Sequence, residues 1–142
     1  MNNTPSTRPR NRVLRPWMYW LLRLAGTFNI LAGFCMLAFY HEGYHLVGIQ
    51  KPVLVLPIQL VGILVAVFGV GYHLSASDPI RNRNVLMLGM WSKTLCSLWA
   101  LVYVFNGPLP WWFLFVLIGA DMIYIPPFAI ILKHIDRHVN IS

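Results

Sequence analysis

The chain has 142 residues, of which 58% are hydrophobic and 11% are charged, whereas soluble domains usually carry about 25% charged residues. A soluble globular domain is therefore excluded, because a chain of this length cannot bury so much apolar surface, and we expect a lipid bilayer to surround part of it. The net charge of +7 is concentrated in a basic stretch beside an apolar segment, which favours anionic lipid headgroups over nucleic acid as partners.

Four apolar segments are long enough to cross a bilayer, which takes ~20 mostly apolar residues. The predicted spans are residues 17–40, 53–75, 85–105 and 110–132. The first segment is too long for the apolar part of a cleavable signal peptide and no small-residue cleavage site follows it, so we predict a retained span. The predicted domains are a basic disordered cytoplasmic tail, a four-span membrane domain and a short cytoplasmic tail, at 1–16, 17–133 and 134–142.

Basic residues flank the predicted spans almost entirely on one side, which indicates the cytoplasmic side. Only Lys51 falls on the other side, against a set of eight: Arg8, Arg10, Arg12, Arg15, Arg81, Arg83, Lys133 and Arg137. We therefore predict a multi-pass protein of a bacterial inner membrane with both termini cytoplasmic. The candidates for contact with lipid headgroups are Arg12, Arg15, Arg81 and Arg83.

Each predicted span carries small or polar residues at intervals of three or four positions. These seams are Tyr19, Leu22, Gly26, Asn29, Gly33 and Met36; Gln59, Gly62, Ala66, Gly69 and His73; Gly89, Lys93, Cys96, Ala100 and Tyr103; and Leu114, Leu117, Asp121 and Tyr124. Small residues let membrane helices approach closely, so the seams predict an all-α, antiparallel four-helix bundle with its polar groups turned inward. Cys35 and Cys96 lie in apolar runs and are predicted to be buried thiols.

The segments "RLAGTFNILAGFCML", "VGILVAVFGVGYHLSASDPIRNRNVLMLGMWSKTL" and "LPWWFLFVLIGADMIYIPPFAIIL" resemble a group of short bacterial four-span membrane proteins. The best marks are the D-P-x-R loop at 78–81, Lys93, and Asp121 followed by Pro126 and Pro127. More distantly, the chain is similar to the DoxX-like proteins, some of which are associated with quinone-linked sulfur oxidation. The resemblance implies the four-span fold, but no motif here carries that chemistry over.

Three charged residues fall inside the predicted spans, where a charge at mid-bilayer costs at least ~2.5–3.5 kcal/mol. At ~1.5 Å per residue, Arg23, Lys93 and Asp121 lie ~9, ~12 and ~16 Å from the cytoplasmic edge, and Asn29 lies ~18 Å from it. Arg23 and Lys93 can extend to the inner headgroups, whereas Asp121 cannot. Asp121 must be neutral, paired or facing a water-filled cavity, and Lys93 is the first candidate as its partner. The predicted binding pocket consists of Arg23, Asn29, Lys93, Asp121 and Tyr124. The alternative is that the charged residues form a structural ion pair without a ligand.

The last span contains two adjacent prolines, Pro126 and Pro127, one turn after Asp121. Because proline has no backbone N–H, the carbonyls of Met122 and Ile123 lose their usual helical donors. We therefore predict a kinked helix whose free carbonyls accept hydrogen bonds from a lysine, an arginine or water.

The stretch 41–45 reads H-E-x-x-H, the pattern of zinc hydrolases. Gly43 makes a helix doubtful there, and the outer side of the predicted bundle offers no third ligand. Asp121 is the only candidate on a later span, yet it lies ~20 Å away in depth, whereas zinc–oxygen bonds are about 2 Å long. We predict a coincidental match in an outer loop, with no metal site and with His41 and His45 as weak candidates.

No nucleophile–base pair, phosphate-binding loop or pair of acidic residues is present, so the sequence argues against an enzyme and predicts no cofactor, with quinone or lipid as candidate ligands. The leading hypothesis is a non-enzymatic accessory subunit or a lipid- or quinone-binding module that uses the inner-half pocket. Its predicted partners are membrane lipids and either a larger membrane complex or further copies of itself. Two alternatives stay open: a homo-oligomeric transporter or channel with Asp121 as ion or proton site, and a subunit of a quinone- or lipid-linked membrane enzyme.

Overall fold

The computed structural model describes residues 13–107 and 109–139, and its regular elements are all helical. These elements are α1 (Pro16–Ala38), α2 (Tyr40–Val47), α3 (Leu56–Ser77), α4 (Arg83–Phe105), α5 (Phe113–Ala120), a short 3-10 helix (Met122–Tyr124) and α6 (Ile125–Val139). The predicted all-α class is confirmed for this part of the chain. Most of the predicted basic tail, with Arg12, lies outside the described residues.

Four helical segments are long and apolar enough to cross a membrane, as the sequence predicted. They are Pro16–Ala38, Leu56–Ser77, Arg83–Phe105 and Phe113–Val139, the last of which combines α5, the 3-10 helix and α6. Exposed leucine, isoleucine, valine and aromatic side chains cover their outward faces. In water these faces would form apolar patches far larger than soluble monomers tolerate, whereas acyl chains solvate them in a bilayer.

The contact between α1 and α3 depends on two facing pairs of glycines, Gly26 with Gly69 and Gly33 with Gly62. A Cβ atom added at Gly69 would lie 2.6 Å from the carbonyl oxygen of Gly26, and one added at Gly62 would lie 2.8 Å from that of Gly33. The two backbones are therefore too close for any side chain at these positions. The predicted small-residue seams of the first and second spans correspond to this contact.

One end of the helices carries most of the basic residues, and we call it the basic end; it comprises residues 13–16, 77–83 and 133–139. Side-chain contacts hold these segments together: Arg83 pairs with Asp136, with Nη2 2.9 Å from Oδ2, and the Nε2 atom of His134 lies 2.8 Å from the carbonyl oxygen of Val13. The fully buried core lies nearest this end and includes Leu22, Tyr72, Leu86, Phe128, Ile131 and Ile135.

The last helix extends beyond the predicted end of the fourth span. We placed that end at residue 132, with a cytoplasmic tail from 134, and α6 runs on to Val139 within the segment assigned to the tail. Phe128, Ile131 and Ile135 are completely buried at helical spacing, so the apolar face of this helix extends into the segment assigned to the tail. Lys133 and Arg137 are exposed on the opposite face of α6. Such charges lower the mean hydropathy of the segment, so its apolar face was not recognised in the sequence.

The buried face of α4 also differs from the predicted seam. Gly89 and Lys93 are buried as expected, but the next buried position is Ser97, whereas Cys96 and Tyr103 are exposed. Cys35 is exposed as well, so the prediction of two buried thiols is wrong. An apolar run in sequence does not separate the lipid-facing side of a membrane helix from its core-facing side, because both sides are apolar.

Candidate functional site

The amino group of Lys93 is the centre of a polar cluster inside the helices. Lys93 lies on α4 and is only 7% exposed. Its Nζ atom donates hydrogen bonds to Asp121 Oδ1 at 2.6 Å and to the carbonyl oxygen of Ala120 at 3.0 Å, and it lies 3.5 Å from Asn29 Oδ1. An ammonium group has three N–H donors, so each proton has an acceptor. The predicted pairing of Lys93 with Asp121 is therefore present in the structure.

An interrupted helix provides two of these acceptors. α5 ends at Ala120, Asp121 has non-helical backbone angles (φ −125°, ψ −57°), and a 3-10 helix follows before α6 begins at Ile125. The N–H of Tyr124 donates to the carbonyl of Asp121, at 3.1 Å, which is one residue later than an α-helix requires. The carbonyl of Ala120 consequently lacks its helical donor, and Lys93 supplies a replacement.

The predicted interruption of the last span is confirmed, but its consequence differs from our prediction. Pro126 and Pro127 occupy the first turn of α6, where a missing N–H costs little. The carbonyl of Met122 accepts a bond from the N–H of Ile125, so it is not the free acceptor that we expected. The carbonyl of Ala120, which we did not predict, also loses its helical donor, because the chain tightens into a 3-10 helix before the prolines.

The cluster is partly exposed at the surface of the protein, through the carboxylate of Asp121. The side chain of Asp121 is 28% exposed, compared with 8% for that of Lys93. Next to it, the ring of Tyr124 lies 5.3 Å from Lys93 Nζ and packs near Phe28 and Phe128, with ring centres 6.2 and 6.0 Å apart. Phe28 is itself exposed. An aromatic edge and a partly exposed carboxylate therefore border the buried ammonium group.

Ser97 is a buried polar residue close to the site in sequence and on the same helix face, and the sequence reasoning missed it. It lies one turn after Lys93 on the same face of α4, is 2% exposed, and its hydroxyl has no hydrogen-bond partner among the described residues. A buried hydroxyl without a partner costs about 1–3 kcal/mol, which makes this position a natural contact for water or a ligand atom. The spacing 89–93–97 was a signal for it, since residues four apart share a helix face.

Arg23 is not part of this cluster, contrary to our prediction. Its guanidinium group contacts Tyr19 on its own helix and His73 and Ser77 on α3. Estimates of depth placed Arg23 near Lys93, but depth along the bilayer normal does not tell which side of a helix a residue occupies. The cluster thus contains one cation and one anion, rather than the two cations and one anion that we had assumed.

The H-E-x-x-H stretch lies on a helix, so our doubt about its helical conformation was wrong. α2 covers Tyr40–Val47 and includes Gly43. His41, Glu42 and His45 are all exposed on it. Among the described residues, no group of three or more histidine, cysteine, aspartate or glutamate side chains is placed to hold a metal ion. The motif therefore still lacks a third ligand in this part of the chain.

The other face of α2 lines a cavity of about 420 Å³ at the end of the helices opposite the basic end. From α2 it is lined by Tyr40, Gly43, Tyr44 and Val47, and from the other helices it includes Ile58 and Phe113. The lining is almost entirely apolar. This cavity does not include Lys93 or Asp121, so it is separate from the polar cluster.

The residues predicted to contact lipid headgroups have different environments. Arg15 and Arg81 are exposed at the basic end, whereas Arg83 is engaged by Asp136. Arg12 lies outside the described residues.

Comparisons of the chain with protein families, with curated proteins and with solved structures found no match. The resemblance to DoxX-like proteins therefore stays a prediction from the sequence, and the function has to be argued from the site itself.

Proposed function

We propose that this protein is a non-enzymatic, multi-pass protein of a bacterial inner membrane, built as an antiparallel four-helix bundle with both termini in the cytoplasm. The grouping of Arg15, Arg81, Arg83 and Lys133 at the basic end supports this orientation, because basic residues are retained on the cytoplasmic side. Its role is to bind a lipid-soluble ligand with a polar headgroup, a quinone or a lipid, at the Lys93 cluster, as an accessory subunit of a larger membrane complex.

The observation that carries the proposal is the buried Lys93–Asp121 pair at a helix interruption, with the carboxylate partly open to the outside of the protein. A charge within a membrane span is costly and usually marks a functional position. A ligand approaching from the bilayer meets Asp121 and the ring of Tyr124 first. A carbonyl of the ligand can replace Asn29 Oδ1, which at 3.5 Å is the most distant acceptor of Lys93, and a hydroxyl can donate to Asp121, while the apolar part of the ligand stays among the acyl chains.

Two polar groups beside the ion pair support a ligand rather than a purely structural contact. The hydroxyl of Ser97 is buried without a partner among the described residues, and Tyr124 presents its phenol ring at 5.3 Å from the ammonium nitrogen. A structural ion pair in a well-packed core needs neither feature. Both are expected where a headgroup brings its own donors and acceptors.

A second candidate function is transport or conduction of ions by an assembly of several copies, with Asp121 as the ion or proton site. The helix interruption at Asp121 favours it, because interrupted helices commonly form the ion sites of membrane transporters. Four spans rarely enclose a pathway alone, so this function requires a stable oligomer in mild detergent. A monomer that shows no ion flux in liposomes would exclude it.

The proposal is tested by identifying what copurifies with the protein from native membranes and by comparing three variants. Lys93→Met and Asp121→Asn should lose the copurified lipid or quinone, because each removes one half of the polar pair. Lys133→Met is the matched control, since Lys133 is exposed on α6 far from the cluster, and it should retain the ligand. If both cluster variants retain the ligand as well as the control does, the cluster has no binding role.

A further inference from the structure

A second polar cluster, formed by Tyr19, Arg23, Thr27, His73 and Ser77, lies between α1 and α3. Nε of Arg23 donates to the phenol oxygen of Tyr19 at 3.2 Å, and Nη2 donates to Ser77 Oγ at 3.2 Å. Nη1 lies 3.1 Å from Nδ1 of His73. The guanidinium carbon also lies 5.2 Å from the ring centre of Tyr19. These contacts hold the guanidinium group in one orientation.

The positive charge of Arg23 has no anionic partner among the described residues. The guanidinium group cannot accept a hydrogen bond, so Nδ1 of His73 is the acceptor and the imidazole is neutral. Tyr19 and Ser77 are neutral as well. The ion pairs of the described residues join Arg83 with Asp136 and Lys93 with Asp121, and neither involves Arg23. The charge of Arg23 is therefore not neutralised by a direct ion pair with any of the described residues.

The arrangement leaves hydrogen-bond donors unused. A guanidinium group has five N–H donors, and three of those of Arg23 are engaged, which leaves two. With Nδ1 of His73 as acceptor, its Nε2 carries the proton and faces Thr27 Oγ1 at 3.4 Å. The hydroxyl proton of Thr27 then has no acceptor among the side chains described. Thr27 and Ser77 are both exposed, so the cluster opens to the outside of the helices.

The position of the cluster matches the headgroup region of a bilayer. The side chain of Arg23 turns toward Tyr19, one helical turn nearer the start of α1 and only about 5 Å from it along the helix. Trp17 and Trp20 are exposed on the same turn, and tryptophan is enriched where membranes meet water. The unused donors of Arg23 therefore point toward the level of the lipid phosphates, and the hydroxyl of Thr27 lies about one helical turn deeper, at the level of the ester groups of a lipid.

We infer that this cluster binds the phosphate group of an anionic phospholipid. Arg23 supplies the charge and its unused N–H groups, Thr27 supplies a hydroxyl donor, and His73 and Ser77 fix the orientation of the guanidinium group. Charge-assisted hydrogen bonds of this type are about twice as strong as neutral ones. The site is independent of the Lys93 cluster, because Arg23 and Lys93 share no partner, and it does not depend on the proposed function.

The test is a titration of the detergent-solubilised protein with dioleoylphosphatidylglycerol or dioleoylphosphatidylcholine, followed by native mass spectrometry. The unsubstituted protein should bind its first phosphatidylglycerol about tenfold more tightly than phosphatidylcholine. Arg23→Gln should abolish this preference, and Thr27→Val should weaken phosphatidylglycerol binding about two- to fivefold. Arg137→Gln is the matched control, since Arg137 is an exposed arginine of the basic end that lies on α6, away from this cluster, and it should keep the preference.

Three results would overturn the inference. Arg23→Gln could bind phosphatidylglycerol as the unsubstituted protein does, or Arg137→Gln could lose as much affinity, which would indicate diffuse attraction to a basic surface. Displacement of the lipid by millimolar inorganic phosphate would assign the site to a soluble anion. Circular dichroism monitors the folding of each variant. If Arg23→Gln does not fold, the test uses Thr27→Val and Arg23→Lys, and unchanged phosphatidylglycerol binding in both variants would contradict the proposed phosphate site.

Discussion

Replacing Lys93 by methionine should destabilise the protein because it leaves Asp121 without its cation. Lys93 supplies all the donors to Asp121 Oδ1 and to the carbonyl of Ala120 in this cluster. Removing one partner of a buried ion pair typically costs about 3–5 kcal/mol. The side chain of Asp121 is 28% exposed, so the protein buries it only in part, and we expect the lower part of that range, about 3 kcal/mol.

The free energy of unfolding can be measured by raising the fraction of sodium dodecyl sulfate in mixed micelles while far-ultraviolet circular dichroism is recorded. Lys133→Met makes the same substitution at an exposed site and should change stability by less than about 0.5 kcal/mol. The double variant Lys93→Met/Asp121→Leu should recover most of the loss, because an apolar pair replaces the ion pair without an orphaned charge. A single variant as stable as the control would refute the reasoning, as would a double variant no more stable than the single one.

Gly69→Ala should destabilise the protein by about 1–3 kcal/mol in the same assay, because the added Cβ would lie 2.6 Å from a facing backbone oxygen. Gly119→Ala is the control: its added Cβ meets nothing within 4 Å, so this variant should be neutral or slightly stabilising. Arg83→Gln should cost only about 0.2–1 kcal/mol, since Arg83 and Asp136 are 33% and 41% exposed, and the loss should shrink as salt is raised. Alanine in place of both histidines of the 41–45 motif should leave the zinc content after dialysis unchanged, as measured by atomic emission; a loss of stoichiometric zinc would contradict our interpretation of the motif.

The number and approximate positions of the long helices could be predicted because each depends on the local composition of ~20 residues. The pairing of Lys93 with Asp121 could also be predicted, since a short carboxylate inside a span has few ways to be neutralised. The spacing of small residues in the first and second spans also indicated a close helix contact, which the structure forms between Gly26 and Gly69 and between Gly33 and Gly62.

Other features depend on how the helices are rotated about their axes, which the sequence does not specify when both sides of a helix are apolar. The assignment of Arg23 to the Lys93 cluster failed for this reason, as did the burial of Cys35 and Cys96. The free carbonyl at Ala120 could not be predicted either, because it depends on the 3-10 hydrogen bond of Tyr124 rather than on the prolines themselves.

The helix over the 41–45 motif shows a different limit. Gly43 argued against a helix by local propensity, yet α2 forms and ends at Gly48, which has a positive φ of 73°. The intrinsic cost of one glycine is only about 1 kcal/mol, and the left-handed cap at Gly48, whose N–H bonds to the carbonyl of His45, closes the last turn of the helix. The exposure of the two histidines follows from the rotation of the helix, which turns Tyr40, Gly43, Tyr44 and Val47 toward the cavity.

The most direct test of the account is ligand binding by the double variant Lys93→Met/Asp121→Leu, because it removes the polar cluster while preserving the fold. Ubiquinone-2 serves as the probe, and quenching of tryptophan fluorescence in detergent micelles measures its binding. The account predicts saturable binding to the unsubstituted protein and at least about a tenfold loss of affinity in a folded, monodisperse double variant. Equal affinity in the two proteins would contradict a binding role for the Lys93 cluster.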